Sequence, residues 1–377
     1  DSKYFQFMKL LIVLSHPGHY YLFKYLAKNL RKKGHQVDYA IRAKDVLEDI
    51  LISENETYKK LCKEFYRGNS KFSIMFGALT EMIVQNIYLF IHTLFNRPDL
   101  MIGTDICISH VGSVLSISSL VFNEDDYEIN KLFCKATYPF ASKIISPENC
   151  SVGKFESKKI GYNGYQKIAY LHPKYFKSDL NVLKKLKLNG QKYFLIRLVT
   201  LKAVHDIEGD HSGLNKDTLK KIISLLEKSG KVFINSEGKV DADFLKYKLN
   251  IKPNEIHTVI ANASLFIGDS QTMSAEAGLL GTPFIRFNDF VGKISYLNDI
   301  ENKYKLGFGI KTKDKDKLFE KIVEILNIKN VKKEWKLRSQ SLFSDKINVT
   351  DFWIWLVENY PKSIAILKNK PDFKNNF

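Results

Sequence analysis

MKLLIVLSHPGHYYLFKYLAKNLRKKGHQVDYAIR, residues 8–42, reads as one strand–helix–strand unit. Residues 10–14 form a short apolar run, as in a strand buried on both faces, and residues 15–19 form a turn. Apolar side chains then recur at helical spacing over residues 20–33, and Gly34 ends that amphipathic helix. A second strand begins at Val37. A helical crossover of this length makes the two strands parallel.

The same alternation of strands and helices continues along the chain. A strand, a loop and a helix follow from residue 98, and a further strand ends at Pro147. After a linker-like passage near residue 168, a second series of strands and helices begins. We therefore predict an α/β protein with two doubly wound, Rossmann-like domains that face a central cleft. The predicted domains are residues 8–170 and 171–345, followed by a C-terminal helix and tail at residues 346–377.

The overall charge narrows the classes of partner. The chain has 377 residues and a net charge of +17, which nucleic acid, an anionic membrane surface or phosphorylated substrates would each match. It lacks zinc-finger spacing and an aromatic RNA-binding signature, so we expect no nucleic-acid partner. A lysine-rich, solvated surface is the alternative explanation. The four cysteines show no metal-ligand spacing and are typical of reduced thiols in a cytoplasmic protein.

A polar junction between an apolar strand and a helix predicts an anion site in the second domain. Residues 268–283 read GDSQTMSAEAGLLGTP, and the small polar side chains leave backbone N–H groups uncovered at the start of a helix. The alternative is simple capping of that helix, which needs only one such residue. We expect a phosphate group to bind here, at Gly268, Asp269, Ser270, Gln271, Thr272 and Met273.

A long apolar segment in the first domain has two interpretations. Residues 72–95 are almost long enough to span a bilayer, but polar residues such as Glu81 and Gln85 interrupt them. We predict a buried helix of the first domain. The alternative is peripheral membrane contact through residues 59–95, in which the helix dips into the interface and nearby basic residues meet anionic lipid.

Four segments together resemble a domain-of-unknown-function family of archaea and bacteria: SHPGHYYLFKYL, KIGYNGYQKIAYLHPKYF, INSEG and GDSQTMSAEAGLLGTPFIR. This family is grouped with the GT-B glycosyltransferases and the non-hydrolysing UDP-N-acetylglucosamine 2-epimerases. The resemblance covers residues 8 to about 309. It implies a GT-B-like fold and a nucleotide-sugar ligand, whereas a fold alone does not define a reaction.

The comparison with the epimerases implies roles for individual residues. The GTD of residues 103–105 is similar to their Gly-Asp-Thr loop, which makes Asp105 the nearest carboxylate. Residues 128–131 match the end of their acidic segment. Ser270 matches the serine whose loop holds the diphosphate, and Glu276 matches the glutamate that holds the ribose hydroxyls.

Two departures from the epimerase pattern count against simple 2-epimerase activity. The chain has Gln271 and Thr272 where the epimerases have a double glycine. It also lacks a clear His-Val-Glu-Ala-Gly-Leu-Arg element, so the acid–base set that the resemblance implies is incomplete.

The candidate catalytic residues all belong to the first domain. His16 and His19 flank Gly18 in the first loop, where a neutral imidazole can deprotonate an acceptor hydroxyl. Helix capping or local packing by His19 is the alternative. The expected acids are Asp105, Glu124 and Glu128, and stabilisation of a turn is the alternative for Asp105.

Further residues are expected to bind the substrate. The helix starts after Gly18 and Gly268 supply N–H donors, and basic side chains offset the charge that grows on a diphosphate leaving group. Because such donors and basic charge can serve a diphosphate without a divalent metal, we predict no metal and no cofactor. The binding candidates outside residues 268–276 are Gly18, Arg197, Lys202, His205, Asp206, His211, Ser236, Glu237, Arg286 and Asn288.

These features favour a glycosyltransferase that uses a nucleotide-diphosphate sugar, with a UDP-sugar preferred. The acceptor would be a saccharide or a lipid-linked saccharide in surface polysaccharide or glycolipid assembly. We expect a cytoplasmic protein, with peripheral contact at the inner face of the membrane as an alternative. An epimerase or hydrolase of nucleotide sugars, and a binding protein without turnover, are the rival functions. The sequence does not indicate the oligomeric state.

Overall fold

The computed structural model describes residues 7–44, 46–63, 71–199, 214–236, 238 and 240–377, with the backbone alone at 71, 72 and 74. The chain divides into two compact units. The first unit contains residues 1–170 and 347–377, and the second unit contains residues 171–346. The C-terminal segment therefore folds with the first unit, although it follows the second unit in sequence.

The first unit is built on a seven-stranded parallel sheet in the order β3-β2-β1-β4-β5-β6-β7. The order reverses at β1, since β2 and β3 lie on one side of it and β4 to β7 on the other. The strands are β1 (Lys9–Leu14), β2 (Gln36–Ala43), β3 (Tyr58–Lys63), β4 (Leu100–Gly103), β5 (Ser118–Phe122), β6 (Lys143–Pro147) and β7 (Lys159–Tyr162).

Helices connect these parallel strands, as the crossovers require. Leu11 and Val13 of the central strand pack in one buried cluster with Val111 of the fourth helix and Leu89 of the third. The helices are α1 (Pro17–Lys32), α2 (Leu47–Ser53), α3 (Lys71–Phe95), α4 (Ile106–Leu115), α5 (Lys131–Thr137) and the short α6 (Ile168–Leu171).

Helix α1 begins at Pro17, three residues before its predicted start. The side chain of His16 caps it, because His16 Nδ1 accepts a hydrogen bond from the N–H of Gly18 at 3.1 Å. Proline at the first helical position loses no hydrogen bond and has its φ already set for a helix. The cap is therefore His16, whereas the alternative interpretation of the sequence assigned a cap to His19.

The second unit has a five-stranded parallel sheet in the order β12-β11-β10-β8-β9. Here the order reverses at β8, with β9 on one side and β10 to β12 on the other. The strands are β8 (Tyr193–Leu198), β9 (Lys231–Ser236), β10 (Leu265–Gly268), β11 (Phe284–Phe287) and β12 (Gly307–Ile310).

The core of the second unit packs helices against this sheet. Ile196 and Ile267 of the central strands lie in one buried cluster with Ile222 of α8 and Ile322 of α12. The helices are α7 (Leu180–Lys185), α8 (Lys216–Glu227), α9 (Ile256–Asn262), α10 (Gln271–Leu279), α11 (Ser295–Asn298), α12 (Lys315–Asn327) and α13 (Val331–Asp345), and a π-helical turn covers Asp299–Lys303.

The chain then returns to the first unit through α14 (Val349–Glu358) and α15 (Lys362–Asn369). Asn348 caps α14 by accepting a hydrogen bond from the N–H of Asp351 at 3.2 Å. The buried Trp353 packs edge-on against Phe122 of β5, with ring centroids 4.7 Å apart. A large aromatic contact of this kind explains why the segment belongs to the first unit.

Helix α3 overturns the prediction of a buried helix. Only four of the residues Met75–Phe95 are buried, although the segment is apolar and long enough to cross a membrane. Its buried side carries Glu81, Gln85 and Thr93 as well as Leu89. The apolar content of the segment therefore does not measure its burial.

Candidate functional site

The second unit places the predicted anion site where the strand order of its sheet reverses. Strands β8 and β10 are neighbours there, and Gly268 lies opposite Arg197 in their register. A Cβ atom on Gly268 would stand 2.9 Å from the carbonyl oxygen of Arg197, so only glycine fits. Ligands of doubly wound sheets bind at the carboxyl ends of strands beside such a reversal.

Backbone N–H groups are open at the start of α10. Ser270 caps the helix, because its Oγ accepts a hydrogen bond from the N–H of Met273 at 3.3 Å. Among the described residues, the N–H groups of Gln271 and Thr272 have no acceptor. Open N–H groups and the positive end of the helix dipole together attract an anion.

Asp269 holds the junction against the neighbouring strand. Its Oδ1 accepts a hydrogen bond from the N–H of Val199, just after β8, at 2.9 Å. Its backbone carbonyl accepts a hydrogen bond from Nδ2 of Asn288 at 2.9 Å. The two predicted binding residues Asp269 and Asn288 therefore lie together and shape the loop.

Arg286 is completely buried, and among the described residues its side chain reaches the junction through Asn288. Its Nε and Nη2 donate to the two carboxylate oxygens of Glu301 at 2.8 and 3.1 Å. Its Nη1 donates to Oδ1 of Asn288 at 3.2 Å. The structure thus places Arg286 behind Asn288, in a position to orient that side chain rather than to contact a ligand directly.

The other predicted binding residues of the second unit are spread more widely. Arg197 donates a hydrogen bond to Oδ1 of Asn235 on the adjacent strand. Ser236 Oγ accepts one from the N–H of Gly238. Glu276 is buried, with its Oε1 3.3 Å from Nε2 of the buried His257. Five predicted residues lie outside the described part of the chain: Lys202, His205, Asp206, His211 and Glu237.

The first unit has its own polar cluster at the carboxyl ends of β1 and β4, again where the strand order reverses. Helix α3 and strand β2 complete it with buried or half-buried polar side chains. We call this group the first-unit polar cluster; its members are Ser15, His19, Arg42, Glu81, Gln85, Thr104 and Asp105.

His19 is held as a neutral imidazole in this cluster. The N–H of Ser15 donates to its Nδ1 at 3.2 Å, so the ring proton lies on Nε2, which is 2.7 Å from Oγ1 of Thr104. Burial, with a further contribution from the charge of nearby His16, lowers the pKa of His19 to about 3. Because both ring nitrogens are engaged within the cluster, His19 offers no open nitrogen to an acceptor hydroxyl in this arrangement.

We expect the imidazole signals of His19 to show no titration between about pH 8 and pH 5, where a free histidine titrates near 6.5. The unfolded chain takes up a proton near pH 6.5 that the folded chain refuses until about pH 3. Stability from the neutral ring is therefore complete above pH 6.5 and decreases as the pH falls towards 3. Proton NMR, assigned with His19→Gln, measures this; a midpoint near 6.5 would contradict the buried arrangement.

Asp105 is the ionised acid of the first-unit polar cluster. Burial acts to raise its pKa, but hydrogen bonds from the Ser15 hydroxyl and the Cys107 N–H, with the charge of Arg42, outweigh burial and lower the pKa. The N–H of Cys107 lies 3.0 Å from Oδ1, which makes Asp105 the cap of α4. The cap fits the alternative, structural interpretation of this residue, and the charge beside Ser15 fits the catalytic one.

The sequence interpretation missed Arg42, Glu81 and Gln85 as members of this site. Arg42 pairs with Glu81 and also donates to the carbonyl of Ser15 at 3.2 Å. Nε2 of Gln85 donates to Oγ of Ser15 at 3.3 Å. Glu81 and Gln85 are four residues apart and so share one side of α3. That spacing of polar residues in an apolar helix was the signal that could have identified them.

The remaining predicted catalytic residues do not join the cluster in a common set of contacts. Glu124 is buried in an ion pair with Lys167, and its Oε2 accepts a hydrogen bond from the N–H of Gln166 at 2.7 Å. Glu128 is exposed. His16 serves as the α1 cap, and this occupies the N–H of Gly18 that was predicted to meet an anion.

Within the described residues, no group of three or more His, Cys, Asp or Glu side chains is arranged to hold a metal ion. All four cysteines are buried, and none forms a disulfide with another described residue. Independence from metals stays a prediction, because only a measurement of turnover can test it.

Solved structures similar to this chain include a glycosyltransferase and several epimerases. The glycotransferase of kitacinnamycin has a TM-score of 0.61 and 14% identity, over 94% of this chain and 99% of that one. The Methanocaldococcus jannaschii UDP-GlcNAc 2-epimerase, solved with UDP-GlcNAc and UDP, has a TM-score of 0.59 and 14% identity, over 85% and 94%. The Neisseria meningitidis UDP-GlcNAc 2-epimerase bound to UDP-GlcNAc has a TM-score of 0.54 and 15% identity, over 90% and 99%.

These likenesses confirm the predicted fold class: an α/β protein with two parallel sheets flanked by helices, similar to GT-B glycosyltransferases and epimerases. At such low identities they concern the fold alone. No curated protein matches the sequence significantly. The family model described as "Protein of unknown function (DUF354)" matches residues 8–343, and the chain therefore belongs to that family.

Proposed function

We propose that this protein is a glycosyltransferase that binds the diphosphate of a nucleotide sugar, preferably a UDP-sugar, in its second unit. The observation that carries the proposal is the pair of open N–H groups of Gln271 and Thr272, at a helix start beside the strand-order reversal. The diphosphate leaving group gains charge in the transition state, and fixed N–H donors stabilise that charge. The UDP-bound state of one similar structure supports the same class of ligand.

The first unit would hold the acceptor. Its polar cluster offers an ionised carboxylate, Asp105, hydrogen-bonded to the Ser15 hydroxyl where the strand order reverses. A carboxylate in that position can take the proton of an attacking hydroxyl. The proposed acceptor is a saccharide or lipid-linked saccharide in surface polysaccharide or glycolipid assembly, on the cytoplasmic side of the membrane.

The proposed reaction needs no metal and no cofactor, because N–H donors replace the metal at the diphosphate. Turnover should therefore be unchanged in EDTA. Loss of turnover in EDTA that manganese restores would contradict this part of the proposal.

A charge placed at the junction tests the diphosphate site directly. UDP at 100 times its dissociation constant should stabilise the wild type by about 2.7 kcal/mol, measured as a rise in melting temperature. Ser270→Asp should abolish that rise, since its carboxylate would face the diphosphate. Ser270→Asn is the matched control, because aspartate and asparagine both cap helices and differ here in charge.

The two variants separate misfolding from loss of the site. Without UDP, both should melt close to the wild type. With UDP, only Ser270→Asn should show a substantial rise. If UDP protects Ser270→Asp as well as it protects the wild type, the nucleotide binds elsewhere and the proposal fails.

An epimerase or hydrolase is the second candidate function. Its support is the likeness to UDP-GlcNAc 2-epimerases and the presence of Asp105 and Glu124 after the neighbouring strands β4 and β5. NMR of UDP-GlcNAc incubated with the protein alone distinguishes the two functions. Epimerisation or hydrolysis proceeds without an acceptor, whereas transfer requires one. Binding without any product would favour a protein that holds the nucleotide sugar without turnover.

A further inference from the structure

Helix α3 turns polar side chains inward and large apolar side chains outward, which is the reverse of an ordinary surface helix. Glu81, Gln85 and Thr93 are buried on its inner side, where Glu81 pairs with Arg42 and Gln85 bonds to Ser15. A surface helix of a water-soluble unit normally turns its apolar side inward and its polar side to solvent. Glu81 and Gln85 turn inward because they contribute to the first-unit polar cluster, whereas Leu89, further along the same side, packs in the apolar core.

The outer side of α3 is correspondingly apolar. Large side chains that are 46–82% exposed follow one another along almost the whole helix. We call this surface the α3 apolar face; it consists of Met75, Phe76, Leu79, Ile83, Ile87, Tyr88, Ile91, Leu94 and Phe95. The segment Met75–Phe95 is roughly 30 Å long at 1.5 Å per residue. A continuous apolar surface of this length marks a site of interaction.

Basic residues border the α3 apolar face. In sequence, residues 58–97 contain six lysine or arginine residues and two glutamates, and the structure describes the side chains of four of these basic residues, Lys59, Lys60, Lys63 and Arg97. Of the two glutamates, Glu81 is buried in its ion pair with Arg42, so it does not offset the charge outside. Lys59 and Lys63 are exposed on β3, the edge strand that packs beside α3, and Arg97 is exposed just beyond its end.

We propose that the α3 apolar face lies in the headgroup region of an anionic membrane, with the bordering basic side chains on lipid phosphates. An apolar helix face flanked by lysines has the composition of an interfacial helix, and each basic residue near an anionic leaflet adds to binding. Glu81 on the inner side of the helix keeps the segment at the interface rather than across the bilayer.

Charge favours a membrane over a second copy of this chain as the occupant. Two copies would bring two lysine-bordered faces together, and each chain carries a net charge of +17. An anionic bilayer instead offers both the apolar layer and the opposite charge. The inference concerns this surface and does not depend on the proposed reaction.

Vesicle flotation of the full chain tests the inference. The protein should float with vesicles of phosphatidylcholine containing about one third phosphatidylglycerol, and much less with phosphatidylcholine alone, since anionic headgroups attract the lysines. Ile83→Glu/Ile87→Glu should reduce the bound fraction about tenfold, because it replaces two apolar side chains that would enter the membrane by charged ones. Both are exposed, so the substitution leaves the core intact. Leu245→Glu/Leu337→Glu, equally exposed on the second unit, is the matched control and should bind like the wild type.

Three results would overturn the inference. The wild type could fail to float with either kind of vesicle. The control variant could lose binding as fully as the α3 variant, which would place the contact elsewhere. Light scattering could show a wild-type dimer without lipid that Ile83→Glu/Ile87→Glu converts to a monomer, which would make the face a contact between copies.

Discussion

Arg286→Met should lower the free energy of unfolding of the second unit by about 3–5 kcal/mol, because it leaves the Glu301 carboxylate buried without its partner. The guanidinium is fully buried and donates two hydrogen bonds to Glu301 and one to Asn288. Denaturant titration should show the loss. Hydrogen exchange should then locate it in residues 284–310, which contain both members of the ion pair.

A second substitution separates the missing charge partner from the missing volume. Arg286→Met/Glu301→Leu removes both charges, and replacement of a buried ion pair by apolar side chains is often neutral. The double variant should therefore recover most of the lost stability. Lys317→Met breaks an exposed pair with Asp314 and should cost less than about 1 kcal/mol. Equal losses in the single and double variants would mean that packing, and not the ion pair, sets the stability.

The ion pair between Arg286 and Glu301 shows what local sequence patterns could not predict. The start of α10 is set by neighbours in sequence, so the polar junction after residue 268 predicted it. Arg286 was predicted to bind substrate because it ends a strand at the expected edge. Its partner Glu301 lies in a π-helical turn that no local pattern indicates. That Arg286 is buried in an ion pair with a residue 15 positions away could be known only from the structure.

The prediction that helix α3 is buried failed for a related reason. The sequence correctly indicated a long helix, and Glu81 and Gln85 were noted as interruptions of its apolar run. Which side of a helix turns inward depends on what the rest of the fold presents to it. Here β1, β2 and β4 present Ser15, Arg42 and Asp105, and a polar side is the complement of that surface. Hydrophobicity alone therefore predicted a buried helix, whereas the fold leaves the apolar side exposed.

Asp105→Asn should reduce turnover of the proposed transfer by roughly 10²–10⁴-fold, the usual loss when a general base is removed. The amide keeps the shape of the carboxylate. Its oxygen can still accept the hydrogen bond from the Cys107 N–H by which Asp105 caps α4 in the wild type. It loses the charge that Asp105 carries beside Ser15. Turnover measured at saturating donor should fall, while the rise in melting temperature with UDP should stay at its wild-type value, because the proposed nucleotide site lies in the second unit.

Asp99→Asn gives the matched comparison, because Asp99 lies just before β4 and Asp105 lies just after it. Asp99 is exposed and accepts a hydrogen bond from the N–H of Lys9 at 2.7 Å, at the opposite end of the same strand. If the charge at Asp105 acts on the acceptor, only Asp105→Asn loses turnover. Wild-type turnover in Asp105→Asn would reduce Asp105 to a helix cap, and an equal fall in Asp99→Asn would trace the effect to the strand. The two ends of β4 thus distinguish a catalytic carboxylate from a structural one.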